Sequence, residues 1–218
     1  MEKIIFHKET KTFHLYNEEI SYIMCVLENG HMGQLYYGKR IHDKPDFSYL
    51  VEKCGRPMTS YIFEGDRSFS LEHIRQEYPV YGTTDYRHPA IEIMQENGSN
   101  ISEFKYVGYE ILKGKPSLKG LPATYTESEE EAETLKIILK DNLTGAKLTL
   151  LYTIFSKGSA IARSAHICNE GEKVLHLQTM MSLNLDLPDK DYVWMQLSGA
   201  WSRERYVKNR ILEQGITA

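Results

Sequence analysis

Short runs of aromatic and β-branched residues that alternate with tight polar turns are the feature that most constrains the fold of this chain. Its 218 residues include 15 Tyr and 7 Phe, and such side chains suit the pleated, half-buried surface of a sheet. Asn29-Gly30 lies between two of these runs, residues 21–27 and 32–37. Because both turn residues tolerate positive φ, Asn-Gly in this position predicts a β-hairpin. The pattern therefore favours an all-β fold of antiparallel strands.

The same pattern continues along the chain, with longer runs in the second half. Asn97-Gly98 predicts a second hairpin turn, and Gly108 interrupts the alternation that follows it, which indicates a bulge or a bend. The polar segments 141–145 and 169–171 predict the turns of two more hairpins, and residues 192–197 predict a further short strand. Long strands joined by short polar turns are typical of a β-sandwich.

One segment has a helical rather than a strand-like pattern. Residues 68–77 place Leu71 and Ile74 at helical spacing. Ser70 is a possible N-cap and Pro79 follows soon after the end, so we expect one short helix there.

The segment from the 40s to the 60s has no regular pattern. It contains Pro45, Gly55 and Pro57, which predicts a long irregular loop, and a loop that long within a compact domain is often functional. The five glutamates within residues 127–133 predict a solvated strand edge or loop.

Charge and hydropathy exclude several classes of protein. The 30 acidic and 26 basic residues give a net charge of −4, whereas nucleic-acid binding needs a clustered excess of Lys and Arg. No run of roughly 18 apolar residues is present, so no membrane span is expected. The first 13 residues lack a continuous apolar stretch, so no secretory signal peptide is expected.

Cysteine usage indicates the compartment. Cys25, Cys54 and Cys168 lie far apart, and an odd, scattered number fits free thiols in a reducing compartment, so we expect a cytoplasmic protein. No CxxC or HxxxH spacing accompanies them, and the sequence has no P-loop, nucleophile elbow or dinucleotide-binding motif. Neither a metal nor another cofactor is expected, and no catalytic residue is assigned.

Three clusters could contact a ligand. Residues 85–90 combine charges with aromatic rings and predict either a packing corner or part of a ligand surface. Arg67 ends the long loop, where it could reach a sugar hydroxyl or a carboxylate, although an exposed arginine is usually only solvated. Trp201 follows Gly199-Ala200 and is flanked by charges, and its flat apolar face could stack on a sugar ring.

These segments carry a resemblance to the glycoside hydrolase family 36 α-galactosidases. Residues 77–90 resemble the family's EYP-YG-TDFR-PA segment, and residues 114–125 with 131–135 resemble the segment that follows it. Residues 199–205 are similar to the GAW-RER stretch. The similarity begins at Phe13 and covers essentially the whole chain.

The resemblance implies a fold and an activity. The family's N-terminal domain is an antiparallel β-supersandwich that precedes a (β/α)8 catalytic barrel and a small C-terminal β-domain. These enzymes release terminal α-galactosyl groups from melibiose, raffinose and related sugars with retention, using two aspartates of the barrel. Residues 1–218 would then be a truncated supersandwich, incomplete at its C-terminal end and without the barrel. Alone it should be inactive, because a retaining mechanism needs two carboxylates about 5 Å apart.

The resemblance also implies partners and site residues. In the family, the N-terminal domain of one subunit helps to wall the active-site pocket of a neighbour in a homotetramer. Arg67 and Trp201 match the positions that contact the α-galactoside sugar there. Two alternatives remain open, namely a free-standing galactoside-binding β-sandwich with Trp201 as its platform, and an oligomerisation domain without sugar contact.

Overall fold

The computed structural model describes residues 3–55, 58, 60–120, 123–188, 190–213 and 215. The chain divides into two units, residues 1–186 and 187–218, and each is described by itself below. Leu121 and Pro122, which belong to the segment 114–125, lie outside the described residues, as do residues 216–218.

The described residues are almost entirely β-structure, as predicted. The strands are β1 (Ile4–His7), β2 (Thr12–Tyr16), β3 (Ile20–Val26), β4 (Met32–Lys39), β5 (Ile91–Gln95), β6 (Phe104–Lys113), β7 (Ala132–Asp141), β8 (Ala146–Phe155), β9 (Ile161–Asn169), β10 (Leu175–Met180), β11 (Val193–Ala200) and β12 (Arg203–Ile211). Two 3-10 helices accompany them, Ser48–Leu50 and Glu129–Glu131. No helix among the described residues has the length and apolar character that a membrane crossing requires.

The first unit contains two four-stranded antiparallel sheets, with strand orders β1-β2-β3-β4 and β6-β7-β8-β9, and the two-stranded pair of β5 with β10. Two of the predicted turns shape them. Gly30 has a left-handed φ of 89° between β3 and β4, and Gly145 has a φ of 77° between β7 and β8. The pairing of β6 with β7 shifts register between Tyr106 and Gly108, which confirms the bulge predicted at that glycine.

Two predicted hairpins are wrong in their pairing, although their turns form. The Gly98 N–H donates to Gln95 O at 2.9 Å, but β5 does not continue into a hairpin with β6. Similarly, the Gly171 N–H donates to Asn169 Oδ1 at 3.0 Å, but β10 does not pair with β9. Instead β5 and β10 pair with each other over the register Ile91↔Met180 to Gln95↔Leu175.

The two four-stranded sheets share one hydrophobic core. Its central side chains come from alternate positions of both sheets: Ile4, Phe13, Leu15, Tyr22 and Met24 of the first, and Leu135, Ile137, Leu148, Leu150 and Tyr152 of the second. Tyr22 and Tyr152 meet across it with ring centroids 6.0 Å apart. This arrangement confirms the predicted β-sandwich.

The irregular segment after β4 covers the outer face of the first sheet. Phe47, Phe69 and Leu71 pack there against Ile23 and Leu35 in a second hydrophobic cluster. Because the first sheet is covered on both faces, β3 is buried at almost every position rather than at alternate positions. The long loop therefore has a structural role as a cover.

The short helix predicted within residues 68–77 is not formed. The Ile74 N–H donates to Ser70 O at 3.3 Å, so one turn begins at the predicted cap. The chain then pairs with β4, because the Gln34 N–H donates to Arg75 O at 3.1 Å and the Glu77 N–H donates to Met32 O at 2.9 Å. Backbone groups that a helix would use internally are thus bonded to the sheet.

Candidate functional site

Arg67 lies on the segment that covers the first sheet. Gly65 has a left-handed φ of 84° in the turn before it, and Asp66 Oδ1 accepts the Ser68 N–H at 2.8 Å and the Ser68 hydroxyl at 2.6 Å. The turn leaves Arg67 exposed. Within the described residues no hydrogen bond or ion pair holds its guanidinium group, so its donors are available to a ligand.

Trp201 lies in the second unit, at the tip of the hairpin that β11 and β12 form. The strands pair from Val193↔Ile211 to Ala200↔Arg203, and Trp201 with Ser202 makes the connecting turn. The side chain of Trp201 is 92% exposed, so its ring is free to stack against another molecule. Arg67 belongs to the first unit and Trp201 to the second, and each surface is therefore described within its own unit.

The backbone around Trp201 has an unusual conformation. Ser202 and Arg205 have left-handed φ angles of 63° and 64°, which L-residues other than glycine rarely adopt. The register of the hairpin also shifts between Ser198 and Ala200. Strained residues of this kind cluster at functional sites, so the tip is a candidate binding element.

The two faces of this hairpin differ in character. One face is mainly apolar and carries Val193, Met195, Leu197, Val207 and Ile211, with Asn209 opposite Met195. The other is aromatic and basic and carries Trp194, Gln196, Tyr206, Lys208 and Arg210. An isolated two-stranded hairpin is at best marginally stable in water, so the exposed apolar face is a candidate packing surface.

Within residues 85–90, Asp85 and Arg87 form a packing corner, one of the two interpretations of that segment, whereas Tyr86 and His88 are exposed. Asp85 is buried, and its Oδ1 accepts the Arg87 Nε–H at 3.0 Å. Arg87 Nη2 also donates to Leu71 O at 3.0 Å and to Ile74 O at 3.2 Å. Burial lowers the pKa of the Arg87 guanidinium, but the hydrogen bond and the negative charge of Asp85 raise it, and the pKa lies above its ordinary value. The pair thus fastens the cover of the first sheet.

Glu77 is the centre of a buried polar cluster between the two sheets. Its carboxylate accepts the hydroxyls of Tyr22 at 2.7 Å and of Tyr152 at 2.8 Å. Arg163 Nη2 lies 3.1 Å from Glu77 Oε2 and donates to Glu77 O at 3.2 Å. Burial raises the pKa of both tyrosines well above the ordinary value, so both remain hydrogen-bond donors. No sequence motif indicated this cluster.

A second cluster, in which His14 and Ser21 are buried and Asp43 is exposed, has the residue types of a hydrolase triad. His14 Nδ1 lies 2.7 Å from Asp43 Oδ1, and His14 Nε2 lies 2.9 Å from Ser21 Oγ. Ser21 is fully buried and its Oγ accepts the Ile41 N–H at 3.0 Å. Because no substrate can reach this oxygen, the cluster cannot act as a nucleophilic site. Its hydrogen bonds instead hold the chain after β4 onto the first sheet.

The His14 cluster makes stability dependent on pH. Burial lowers the pKa of His14 below its ordinary value of 6.5, so the unfolded chain takes up this proton at a higher pH than the folded chain. The contribution of neutral His14 to the free energy of unfolding should therefore be complete above about pH 6.5, and it should decrease as the pH falls below that value. Urea unfolding at about pH 7.5 and about pH 5.5 measures the decrease.

The variant His14→Asn tests the source of this dependence. Its amide keeps a donor toward Asp43 but cannot be protonated, so the loss of stability between the two pH values should be smaller than in the wild type. Some loss should remain, because burial also lowers the pKa of His31. An unchanged pH dependence in the variant would contradict the assignment to His14.

The described residues contain no group of three or more His, Cys, Asp or Glu side chains that could hold a metal ion. The candidate binding surfaces are Arg67 and the Trp201 tip. Arg67 presents hydrogen-bond donors and Trp201 presents an aromatic face, and both side chains are exposed. Such groups can recognise a polar ligand with an apolar patch, and a sugar ring has both features.

The glycosyl hydrolase family 36 N-terminal domain matches residues 30–218. Among curated relatives, α-galactosidase AgaA of Geobacillus stearothermophilus is 41% identical over 99% of this chain and 29% of its own length. α-Galactosidase Mel36A of Lactobacillus acidophilus is 34% identical over 98% of this chain and 29% of its own. The chain thus spans less than a third of the relatives that it matches.

Solved structures are similar in fold as well as in sequence. The α-galactosidase from Lactobacillus brevis has a TM-score of 0.93 and 37% identity, with 97% of this chain and 28% of that one covered. An AgaA variant of Geobacillus stearothermophilus in complex with raffinose has a TM-score of 0.88 and 42% identity, with 94% and 28% covered. On the family match, the identities and the shared fold, this chain belongs to the glycosyl hydrolase family 36 N-terminal domains.

Proposed function

We propose that this chain is the non-catalytic N-terminal part of a longer α-galactosidase, which hydrolyses terminal α-galactosyl residues of raffinose- and melibiose-type sugars with retention. The observation that carries the proposal is the 41% identity to α-galactosidase AgaA over 99% of this chain. Solved relatives in complex with raffinose and with stachyose support this substrate class. The chain spans 29% of AgaA, which leaves room for a catalytic domain in the longer protein.

We assign the chemistry to the rest of that protein. Retaining hydrolysis needs two carboxyl groups about 5 Å apart, both open to the sugar. The buried carboxylates of the described residues have fixed partners instead, since Glu77 accepts two tyrosine hydroxyls, Asp85 binds Arg87 and Asp141 Oδ1 accepts the Leu143 N–H at 2.9 Å. Residues 1–218 should therefore be inactive alone.

We further propose that this part of the enzyme acts in assembly. β9 is an edge strand that pairs only with β8 among the described strands, and it offers a place where further residues of the supersandwich could add. The apolar face of the β11–β12 hairpin would pack in a homotetramer. Trp201 and Arg67 would then wall the active-site pocket of a neighbouring subunit and contact its α-galactoside.

The test compares the longer protein with residues 1–218. We expect the longer protein to release galactose from raffinose and to sediment as a tetramer, and we expect no release by residues 1–218. Isothermal titration of residues 1–218 with galactose and raffinose should give no binding at millimolar concentrations. Binding by this chain alone would instead favour a free-standing galactoside-binding module. A monomeric but active longer protein would overturn the role in assembly.

We also propose a cytoplasmic location, which the free state of all three cysteines supports. Thiol titration of the denatured protein, purified without reductant, should find three reactive thiols. In the native protein the exposed Cys54 should react first, and Cys25 should react last, because burial raises its pKa to about 12. A disulfide in the denatured titration would contradict the proposed compartment.

A further inference from the structure

We propose that Gly199 and Glu204 are positioning residues that set the orientation of Trp201 toward the sugar. This inference rests on the proposed function, because it assigns to Trp201 a contact with the sugar in a neighbouring pocket. Neither residue needs to touch the sugar itself. They act through the backbone of the hairpin tip, which carries the exposed Trp201 ring.

Gly199 permits a close approach of the two strands directly beside the tip. A Cβ atom at this position would lie 2.1 Å from Arg203 O and 2.8 Å from the Glu204 Cα. Both neighbours are backbone atoms, so a larger residue would have to displace a strand. Because the register shift between Ser198 and Ala200 includes Gly199, the glycine determines how β11 enters the turn that carries Trp201.

Glu204 holds the other side of the same turn. Its Oε1 accepts the Ser202 N–H at 3.1 Å, and Ser202 is the residue with the left-handed φ of 63°. A hydrogen bond from a backbone N–H to a carboxylate is among the stronger ones, and here it stabilises a conformation that serine otherwise disfavours. The Glu204 side chain thus holds Ser202 in place, and Trp201 is the residue directly before Ser202 in the turn.

A rigid tip explains how a fully exposed ring could contribute to sugar binding. An aromatic ring that is already oriented loses less conformational freedom when its partner arrives, so more of the stacking energy appears as affinity. The ring would contact the bound sugar in the ground state and in the transition state alike. Loss of orientation should therefore raise KM and change kcat little.

The test measures raffinose hydrolysis by the longer protein with Trp201→Ala, Gly199→Ala, Glu204→Ala, Glu204→Gln and the double variant Trp201→Ala/Glu204→Ala. We expect Gly199→Ala and Glu204→Ala to raise KM by about threefold to tenfold with kcat nearly unchanged. Glu204→Gln keeps an Oε1 acceptor without the charge and should raise KM less than Glu204→Ala does. Gly108→Ala is the matched control, because a Cβ at Gly108 meets nothing within 4 Å.

The double variant separates positioning from direct contact. If Glu204 acts through Trp201, the double variant should have the KM of Trp201→Ala alone, since the two effects are then not additive. Additive effects, or a KM raised as much in Glu204→Gln as in Glu204→Ala, would contradict action through the Ser202 bond and Trp201 and would overturn the proposal. A KM unchanged by Gly199→Ala and Glu204→Ala while Trp201→Ala raises it would also overturn it. An unchanged KM in Trp201→Ala would instead overturn the pocket-wall function.

Discussion

Replacement of Trp201 by alanine in the longer protein should lower kcat/KM for raffinose about tenfold or more. Stacking of a base on an aromatic side chain contributes about 1–3 kcal/mol, and a sugar-stacking tryptophan should contribute a similar amount. The melting temperature should stay nearly unchanged, because the ring is 92% exposed and belongs to neither hydrophobic cluster of the described residues. Kinetics with raffinose and thermal unfolding of the same preparations provide the comparison.

Leu143→Ala is the control for this substitution. Leu143 is also an apolar side chain at the tip of a hairpin and is 81% exposed, but it carries no proposed function, so kcat/KM should not change. If Trp201→Ala lowers the melting temperature by several degrees and leaves kcat/KM intact, then Trp201 is a packing anchor. The pocket-wall role would then be wrong.

Replacement of Arg163 by methionine should destabilise the first unit by about 3–5 kcal/mol, because removal of one partner leaves a buried charge without compensation. Glu77 is fully buried, and the guanidinium of Arg163 also donates to Asn184 O at 2.7 Å. For a unit of this size, each kcal/mol lowers the melting temperature by about 2–4 °C. Urea unfolding and thermal unfolding should both show the loss.

Lys136→Met is the matched control for the Arg163 variant. Lys136 Nζ pairs with Glu110 Oε2 at 2.9 Å on the exposed face of the second sheet, and such surface pairs contribute less than about 1 kcal/mol. The double variant Glu77→Gln/Arg163→Met should recover part of the stability lost in Arg163→Met, because it removes the uncompensated charge. Equal losses for Lys136→Met and Arg163→Met would contradict the buried-pair assignment.

Local features of the fold could be predicted from neighbouring residues. The left-handed glycines Gly30 and Gly145 lie in predicted turns, and Gly108 marks a register shift. Turn chemistry depends on a few adjacent residues, so a short segment contains the information that specifies it. The exposed position of Trp201 was also predictable, because polar and charged residues follow it directly in the sequence.

Strand partners and buried polar contacts were decided by the tertiary structure. β5 precedes one well-formed turn and β10 follows another, yet the two strands pair with each other. Residues 68–77 pair with β4 and do not complete a helix. In both cases a distant segment offers hydrogen bonds and a core face that the local pattern cannot specify. The structure also adds a packing role for the predicted long loop, which covers the first sheet.

The sequence by itself determined the all-β class, the turns and the family resemblance, since each depends on the identity and order of neighbouring residues. Only the tertiary structure decided which residues serve packing and which remain free. Glu77 and Arg163 are 86 positions apart along the chain, and nothing in the sequence between them indicates that they meet. Their pairing depends on the closure of two sheets around one core, and burial without a partner would be unfavourable for either charge. Arg67, on the segment that covers the first sheet, remains exposed, and Trp201 remains exposed at the hairpin tip of the second unit.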